Sequence, residues 1–503
     1  MNDLVPASLT QKMKEWSADA KHWRPHFYQE RALKFMLENP QSGLLLSPGL
    51  GKTSITLAAL KVLLAKKMMR RALIVAPLRA IYDVWPEEIC GWKEFDGLNI
   101  AMLHGGGKER TLRMLEPCHQ IALINFEGLP WLCGKRANIK ALGADVLIID
   151  ESSKMKDSTT VRFRALRPHI MNLTFKRRHI LTGSPRPRNY LDLFGQILLL
   201  DRGAALGQYV THYRNQFFFP TGYQMKEWQI LPGADKKINK LIAPMVMRLD
   251  ALDYLKLPKV IERDHYVELP AKVQREYDSI EGSLMSTLFT EPLTNSASAR
   301  AKCAQIANGA IYTDPRADDE MRYRAERPFK VLHTAKVDAV VDLYEELQGE
   351  PLLLAIGFHH DVAAIRKAIG GDIPCINGAT TRVQASDFIE AWNKGELPML
   401  MVHPASAGHA LNLQKFNARH VGYFYIPDDY DHYDQSFRRV WRQGNKASFV
   451  MRHHFIARST VDEPKMRNLK RKGTEQQSFL DAMKDYCVKK YGQIPASGRV
   501  RRP

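Results

Sequence analysis

The stretch that decides the fold is LLLSPGLGKTSIT, residues 44–56, in which an apolar run leads through two glycines to a lysine and a threonine. Gly49 and Gly51 allow backbone N–H groups to turn inward around phosphate oxygens, and a helix that starts directly after them adds a favourable dipole. Lys52 is then placed to reach β- and γ-phosphates, and Thr53 to bring its hydroxyl to Mg²⁺. The alternative interpretation is a glycine turn followed by an ordinary lysine.

A second apolar run, DVLIID at 145–150, ends in two adjacent carboxylates, Asp150 and Glu151. A phosphate loop needs a carboxylate at the tip of a neighbouring strand to hold magnesium, and a base or water-orienting group beside it. Asp150 fits the first role and Glu151 the second. The alternative is that Asp150 only caps the next segment, since DESSK also resembles a helix start. The phosphate loop earlier in the chain favours the metal-and-water interpretation.

Short apolar runs alternate with helical patterns along the rest of the chain. The runs predicted as strands lie at 43–47, 72–77, 121–126, 145–150 and 178–184, and again at 351–358, 398–404, 420–426 and 449–457. Because these runs are continuous and not alternating, they suit parallel strands buried on both faces. The sequence therefore predicts the α/β class, with two parallel-sheet domains in tandem and helical insertions between them.

The length and the net charge of the chain narrow the range of possible functions. The 503 residues are too many for one ordinary core, and 73 basic against 54 acidic residues give a net charge of +19. Such a balance favours a polyanion partner, with DNA or RNA ahead of an anionic membrane, although a solubilising surface charge is the simpler alternative. With no signal peptide, no membrane-spanning run and six scattered cysteines, we expect a cytoplasmic protein without a structural metal.

A series of further short stretches stands in an order known from one group of proteins. In chain order they are RPHFYQERALKFML, the phosphate loop, ALIVAPLRAIYDVWPEEI with Pro77, Trp85 and Glu88, LHGGGKER, INFEGL, LIIDESSKMKD, RHILTGSPRPRN, APMVMRLDALDYLKLP, NGATTR, SAGHALNLQ, YDQSFRRVWRQGNK and STVDE. This order resembles that of superfamily-two helicases, most closely the Swi/Snf-like ATP-dependent DNA translocases of compact phage or bacterial type. The resemblance covers about residues 20–465.

The resemblance implies two RecA-like lobes that use ATP and Mg²⁺. The domain boundaries that we predict are an N-terminal extension at 1–20, lobe one at 21–185, helical insertions and an interlobe connection at 186–335, lobe two at 336–465, and a C-terminal helix with a basic tail at 466–503. Lobe closure would bring arginine fingers to the γ-phosphate, so that hydrolysis is coupled to movement.

The resemblance also assigns roles to individual residues. Those implied to bind the nucleotide are Gln29, Gly49, Gly51, Lys52, Thr53, Gly408 and Gln435, with Thr53 and Asp150 on magnesium. Those implied to be catalytic are Lys52, Glu151, Arg439 and Arg442, and those implied to contact nucleic acid or couple it to hydrolysis are Thr182, Ser184, Ser406 and Asn412. The basic residues Arg162, Arg164, Arg167, Lys176, Arg177 and Arg178 are further candidates, each equally explained as a solvated face.

The implied activity is ATP-driven movement of a monomer on double-stranded DNA without strong sequence preference, because phosphate contacts carry little sequence information. One alternative is a strand-separating or strand-annealing helicase on DNA or RNA, whose only candidate wedge is FFFPTGYQMKEW, residues 217–228. Another is a nucleic-acid-binding scaffold without catalysis.

The chain departs from the family pattern in both halves. Leu46 replaces the first glycine of the strict phosphate loop, and Ser47-Pro48 stand where the family usually has an acidic residue and methionine. Ser153 replaces a common histidine, which puts the link from the ATP site to the TGS stretch in doubt. Ala410 replaces a common glycine. Because the catalytic residue types remain, we expect an active enzyme.

Overall fold

The computed structural model describes residues 4–183, 189–221, 227–255, 257–287, 294–313, 328–407, 411–414, 416 and 418–491. The chain divides into two compact units. The first comprises Met1–Leu255 with Glu475–Pro503, and the second comprises Lys256–Thr474.

The described part of the first unit contains a seven-stranded parallel sheet and a two-stranded antiparallel hairpin. The strands are β1 (Gln41–Leu46), β2 (Ala72–Ala76), β3 (Ile100–Met102), β4 (Ile121–Asn125), β5 (Val146–Asp150), β6 (Arg177–Thr182), the hairpin pair β7 (Phe218–Thr221) and β8 (Glu227–Ile230), and β9 (Val246–Leu249). The order in the sheet is β3-β4-β2-β5-β6-β1-β9. Apolar side chains on both faces are buried, as continuous apolar runs predict.

The register of the central strands places three predicted sites at one edge of this sheet. Asp150, the last residue of β5, pairs with Leu181 of β6, and Thr182 pairs with Leu45 of β1. All three strands are parallel, so their carboxyl ends meet at the same edge. The loop after Leu46 therefore begins close to Asp150 and Thr182.

The described part of the second unit contains a six-stranded parallel sheet and a short antiparallel pair. Its strands are β10 (Lys259–Val267), the pair β11 (Ala310–Tyr312) and β12 (Phe329–Val331), β13 (Leu352–Ala355), β14 (Cys375–Ile376), β15 (Met399–Val402), β16 (His420–Tyr423) and β17 (Phe449–Ala457). The sheet order is β10-β17-β16-β13-β15-β14. The predicted α/β class with two parallel sheets in tandem is confirmed.

Helices surround both sheets. In the first unit they are α1 (Ala7–Ala18), α2 (Phe27–Glu38), α3 (Lys52–Ala65), α4 (Trp85–Gly91), α5 (Lys108–Arg113), α6 (Leu129–Gly134), α7 (Arg136–Leu142), α8 (Val161–Met171), α9 (Leu193–Asp201), α10 (Val210–Phe217), α11 (Ala234–Ile242) and α12 (Ala251–Tyr254). From the second unit onward they are α13 (Ala271–Thr287), α14 (Thr294–Asn308), α15 (Ala335–Glu346), α16 (His359–Ile369), α17 (Arg382–Lys394), α18 (Pro404–Ala407), α19 (Tyr430–Phe437) and α20 (Asp462–Tyr491). Among the described residues, no helix combines the length and the apolar character that crossing a membrane requires.

The region 186–335, predicted as helical insertions and a connection, also supplies strands. β9 adds to the edge of the first sheet beside β1, and β10 pairs along its length with β17 of the second sheet. β10 lacks a continuous apolar run, since it carries charged residues and its side chains are half-buried or exposed. The apolar run of the buried β9 is short and is interrupted by Arg248. Edge strands with charges are common because they prevent pairing with other chains.

The aromatic stretch proposed as a wedge lies partly in the core of the first unit. Phe217 and Phe218 are buried in the main hydrophobic cluster, and Trp228 packs against it. Phe219 is the exposed aromatic of β7, and residues 222–226 lie outside the described part of the chain. Most of these aromatics therefore have a packing role.

The helix predicted after STVDE is present as α20. Met466 and Leu469 lie in the core of the second unit, and Phe479 and Met483 in that of the first. The ring of Phe479 meets Tyr190 edge to face at 5.8 Å. The basic tail at 492–503 lies outside the described residues.

Three histidines form a hydrogen-bonded row across neighbouring strands of the second sheet. His265 Nε2 lies 3.0 Å from His453 Nδ1, and His453 Nε2 lies 3.1 Å from His420 Nδ1. His420 Nε2 lies 2.9 Å from Oε2 of Glu350. Burial, followed by repulsion from His420 and His265, lowers the pKa of His453 to about 3. His453 is therefore neutral in the folded protein at neutral pH.

Acidification is expected to destabilise the second unit through His453. Its pKa is about 3 when folded and about 6.5 when unfolded, so below pH ~6.5 the unfolded chain binds the extra proton. The stability contribution is complete above that pH and falls by about 1.4 kcal/mol per pH unit as the pH drops toward 3. Urea unfolding between about pH 7 and about pH 5 measures the slope.

The His453→Gln variant should lose less stability than the unmodified chain over the same pH range. The exposed His22 provides the control, since His22→Gln removes an imidazole that is well exposed to solvent. Equal slopes for the unmodified chain and His453→Gln would contradict this assignment.

Candidate nucleotide site

The phosphate loop connects β1 to α3 in the conformation that its glycines predict. Gly49 and Gly51 have φ angles of 88° and 79°, in the left-handed region that residues with a Cβ atom avoid. α3 begins at Lys52, so its free N–H groups face the loop. Lys52 Nζ donates to the carbonyl oxygen of Leu46 at 2.9 Å. The lysine side chain thus reaches back across the loop to Leu46, the residue that replaces the usual glycine.

Gln29 of α2 is tied to this loop. Its Nε2 donates to the carbonyl oxygen of Leu50 at 3.2 Å, while its Oε1 accepts from the backbone N–H of His26 at 2.9 Å. A Cβ atom on Gly51 would lie 2.4 Å from that Nε2 atom. Gly51 is therefore required by both its backbone angle and its neighbour. The structure places Gln29 beside the loop, and its adenine-reading role stays a prediction.

Asp150 is a buried carboxylate at the tip of β5. Its Oδ2 accepts from the indole N–H of Trp85 at 3.1 Å, and its Oδ1 accepts from the backbone N–H of Glu151 at 3.1 Å. Burial and the charge of Glu151 raise the pKa of Asp150 to about 6, against the opposing charge of Lys52. A nearby cation would favour the ionised form of such a group.

An unusual helix start precedes the tryptophan. Residues Ala80–Val84 form a π-helical turn directly before α4, whose first residue is Trp85. π-Helical turns shift the side chains that follow them and recur at functional sites. The sequence motif placed Trp85 and Glu88 in order, but it gave no sign that the indole holds Asp150. Glu88 instead accepts from the indole of Trp92 at 2.7 Å.

Glu151 has a strained backbone. Its φ and ψ angles of 54° and 55° lie in the left-handed region, which costs a non-glycine residue on the order of 1–3 kcal/mol. A 3₁₀ turn, Ser152–Met155, starts directly after it. The alternative prediction, in which Asp150 caps a helix, is wrong, because Asp150 belongs to β5 and no side-chain cap is formed.

Thr182 lies at the same edge, fully buried at the end of β6. A Cβ atom on Gly183 would lie 3.3 Å from Cδ of Pro48, so this stretch packs on the phosphate loop. Ser184 lies outside the described residues.

Arg248 is a structural residue of this site that sequence reasoning missed. It is buried in β9, where its Nη1 donates to the carbonyl oxygens of Leu45 at 3.0 Å and Leu249 at 2.9 Å. Its Nη2 donates to Oδ2 of Asp250 at 2.8 Å. The arginine therefore fixes the end of β1 where the phosphate loop starts. An arginine inside the short apolar run MVMRL was the available signal.

Two of the six basic residues considered for nucleic-acid contact have structural roles instead. Arg178 Nε donates to the carbonyl oxygen of Leu200 at 2.9 Å, and Arg177 Nη1 donates to that of Leu37 at 3.1 Å. Both side chains are buried, so neither is placed to grip a phosphate. Arg164 and Lys176 are exposed, and their contact with nucleic acid stays a prediction.

In the second unit, two of the predicted residues meet. Arg442 Nη1 donates to Oδ1 of Asn412 at 2.6 Å. The backbone of the neighbouring Leu413 is tied to Arg439, whose carbonyl oxygen accepts its N–H at 3.3 Å. These two contacts thus connect the stretch that contains Asn412 to the stretch that contains Arg442, which lies 30 residues later in the chain.

The remaining predicted residues of this unit surround that contact in sequence. Gln435 is half-buried on α19, and Ser406 is half-buried on α18, where its N–H donates to the carbonyl oxygen of His403 at 2.8 Å. Gly408 and the substituted Ala410 lie outside the described residues.

Comparison with known proteins agrees with this geometry. The family described as SNF2-related domain matches residues 28–312, more than half of the chain. "Putative protein p41" of Acyrthosiphon pisum secondary endosymbiont phage 1 is 29% identical, over 92% of this chain and 99% of its own. "Putative ATP-dependent helicase/translocase YwqA" of Bacillus subtilis (strain 168) is 22% identical, over 87% of this chain and 46% of its own.

A shorter similarity involves a eukaryotic protein. The "DNA repair and recombination protein RAD54-like" of Drosophila ananassae is 28% identical, over 35% of this chain and 23% of its own. This chain therefore aligns with less than half the length of each of the last two relatives.

A phosphate loop at the edge of a parallel sheet, with two carboxylates at the tip of a nearby strand, defines the P-loop class of nucleotide hydrolases. Within that class, the chain belongs to the SNF2-related family. It is an ATP hydrolase of the helicase type and an ATP-dependent motor. The predicted resemblance to Swi/Snf-like proteins and the predicted enzyme class are confirmed.

Proposed function

We propose that this motor moves along double-stranded DNA and couples its movement to ATP hydrolysis. The observation that carries the proposal is the grouping of Lys52, Asp150 and Glu151 at the sheet edge where β1 and β5 end. This set consists of a buried carboxylate, an acidic neighbour with a strained backbone and a lysine on the phosphate loop. It serves the hydrolysis of a phosphate bond, and a protein that only binds nucleic acid would not need it.

For the first unit we propose roles that follow from the contacts. Gly49 and Gly51 let the loop N–H groups face the phosphates, and Lys52 exchanges its carbonyl contact for phosphate oxygens. Gln29, anchored on the loop, reads adenine. Glu151 orients the attacking water and accepts its proton.

The residues at this edge fit a magnesium ion. Oxygen ligands are those that Mg²⁺ prefers, and Asp150 and Thr53 offer a carboxylate and a hydroxyl. Burial and the neighbouring Glu151 charge raise the pKa of Asp150, and a divalent cation would favour its ionised form. When bound, the ion would neutralise charge on the phosphates. Asp150 is held for this role by Trp85 and by the N–H of Glu151.

For the second unit we propose Arg439 and Arg442 as arginine fingers, with Gln435 and Gly408 contributing to nucleotide binding. The bond from Arg442 to Asn412 supports a link from the finger to a strand-contacting segment. Ser406 and Asn412 are proposed to contact the nucleic acid in this unit, and Thr182 and Ser184 to couple contact with hydrolysis in the other.

Duplex DNA is the proposed track for reasons of charge and relationship. The net charge of +19 suits a polyanion. Among the relatives, one is named a DNA repair and recombination protein and another a helicase/translocase. Binding through phosphates predicts a steep salt dependence and little sequence preference.

Strand separation is the second candidate, and its proposed wedge is weakened by the structure. A wedge needs exposed aromatics that stack on bases. Phe217 and Phe218 are buried in the core of the first unit, where they stabilise the fold. Among the described residues of this hairpin, Phe219 is the most exposed aromatic.

The deciding experiment measures ATP hydrolysis with no nucleic acid, single-stranded DNA, double-stranded DNA and double-stranded RNA. We expect duplex DNA to stimulate most, with displacement of a triplex-forming third strand as evidence of movement. Lys52→Ala serves as the inactive reference. Stronger stimulation by single strands or RNA would replace the duplex proposal with the helicase one.

A further inference from the structure

The segment after Glu151 is attached to α9 by a buried hydrogen bond. Ser152 Oγ donates to Oε1 of Gln196 at 2.7 Å, and both side chains are almost completely buried. Gln196 Nε2 donates in turn to the carbonyl oxygen of Asp192, one helical turn earlier, at 2.8 Å. The amide of Gln196 is therefore fixed in orientation, and its oxygen faces the serine.

Two further contacts hold the same segment, one against α9 and one against the 3₁₀ turn, Tyr190–Asp192, that precedes it. A Cβ atom on Gly195 would lie 2.3 Å from the carbonyl oxygen of Met155 and 2.8 Å from that of Lys156. The helix can approach this closely only because residue 195 has no side chain. Lys156 Nζ also lies 3.9 Å from Oδ2 of the buried Asp192.

This attachment accounts for a backbone conformation that the local sequence does not favour. Glu151 is in the left-handed region, and a residue with a Cβ atom keeps that conformation only where its surroundings impose it. Asp150 fixes the preceding side as part of β5. Ser152, bonded to Gln196, fixes the following side.

We propose that Ser152 and Gln196 are positioning residues for Glu151, which hold the turn that presents its carboxylate to the attacking water. The inference rests on the proposed function of Glu151.

The test compares kcat, KM for ATP and nucleotide affinity for Ser152→Ala and Gln196→Met. Each variant should lower kcat by about threefold to tenfold, the size of effect that one neutral hydrogen bond produces. KM and the affinity for a nonhydrolysable ATP analogue should stay the same. The double variant should lose no more than either single variant, because both remove the same bond.

A second comparison separates positioning from general loss of packing. In a Glu151→Gln background, Ser152→Ala should leave the residual rate unchanged, since the group it positions is already disabled. The matched control is Ser42→Ala, which removes an equally buried serine whose Oγ lies 2.7 Å from His179 Nδ1 in the same sheet. Its kcat should equal that of the unmodified chain.

Distinct results would overturn the inference. Normal kcat in both Ser152→Ala and Gln196→Met, or an equal fall in Ser42→Ala, would show that the bond only stabilises the fold. A further loss in the Glu151→Gln background would show that Ser152 acts on something else. If the unmodified chain hydrolyses ATP but Glu151→Gln is fully active, the proposed role of Glu151 fails, and the inference fails with it.

Discussion

Replacing Glu151 with glutamine is expected to reduce kcat by roughly 10²–10⁴-fold, the usual contribution of a positioned general base. The amide keeps the size of the side chain but cannot accept the proton of the attacking water. Binding of ATP should persist, because the phosphate loop and Lys52 are intact. The measurement is single-turnover hydrolysis, with affinity determined separately on a fluorescent ATP analogue.

The control for this prediction is Glu116→Gln. Glu116 is an exposed carboxylate that precedes β4, at the opposite edge of the same parallel sheet. Its loss should leave kcat unchanged. If Glu151→Gln hydrolyses ATP at the normal rate, another group activates the water, and the strained backbone of Glu151 does not serve catalysis.

Removal of the Arg442 guanidinium is expected to lower kcat by roughly 10³–10⁵-fold, the range known for arginine fingers. The planar fork can place two N–H groups on phosphate oxygens while charge develops in the transition state. Arg442→Lys should recover little of the rate, since a single ammonium group cannot reproduce that geometry. Arg442→Ala and Arg442→Lys are compared by their rates of DNA-stimulated ATP hydrolysis, with ATP affinity as the second measurement.

Arg438 gives the matched control on the same segment. Its Nε pairs with Oδ2 of Asp434 at 2.5 Å, and its guanidinium stacks on Trp441, so it has a local structural role. Arg438→Ala should therefore cost stability and leave most of the rate. Similar losses of rate in Arg438→Ala and Arg442→Ala would indicate a disturbed segment and argue against a finger at Arg442.

The elements that sequence predicted well share a physical property. Buried parallel strands must be apolar on both faces, so β2, β4 and β5 are continuous apolar runs in the sequence, and β1 and β6 are marked by the apolar residues at their carboxyl ends. The phosphate loop is equally easy to recognise in the sequence, because its backbone angles require glycine and its phosphate contacts require lysine.

The elements that were missed lack such a local signature. β3 and β14 are too short to form a pattern, and β10 is an edge strand whose exposed residues are charged. Their identity as strands comes from hydrogen bonds to partners far along the chain. Arg248 was missed for a related reason, since an arginine is buried only where several carbonyl oxygens meet it.

The sequence by itself determined the two parallel sheets, the phosphate loop and the carboxylate pair that ends β5, because each is set by residues adjacent in the chain. Tertiary structure alone decided how those groups are held. The bond from the Trp85 indole to Asp150 and the bond from Ser152 to Gln196 join residues that different strands and helices bring together. The left-handed backbone of Glu151 lies between those two held residues. Such contacts depend on distances in space, and spacing along the chain does not encode them.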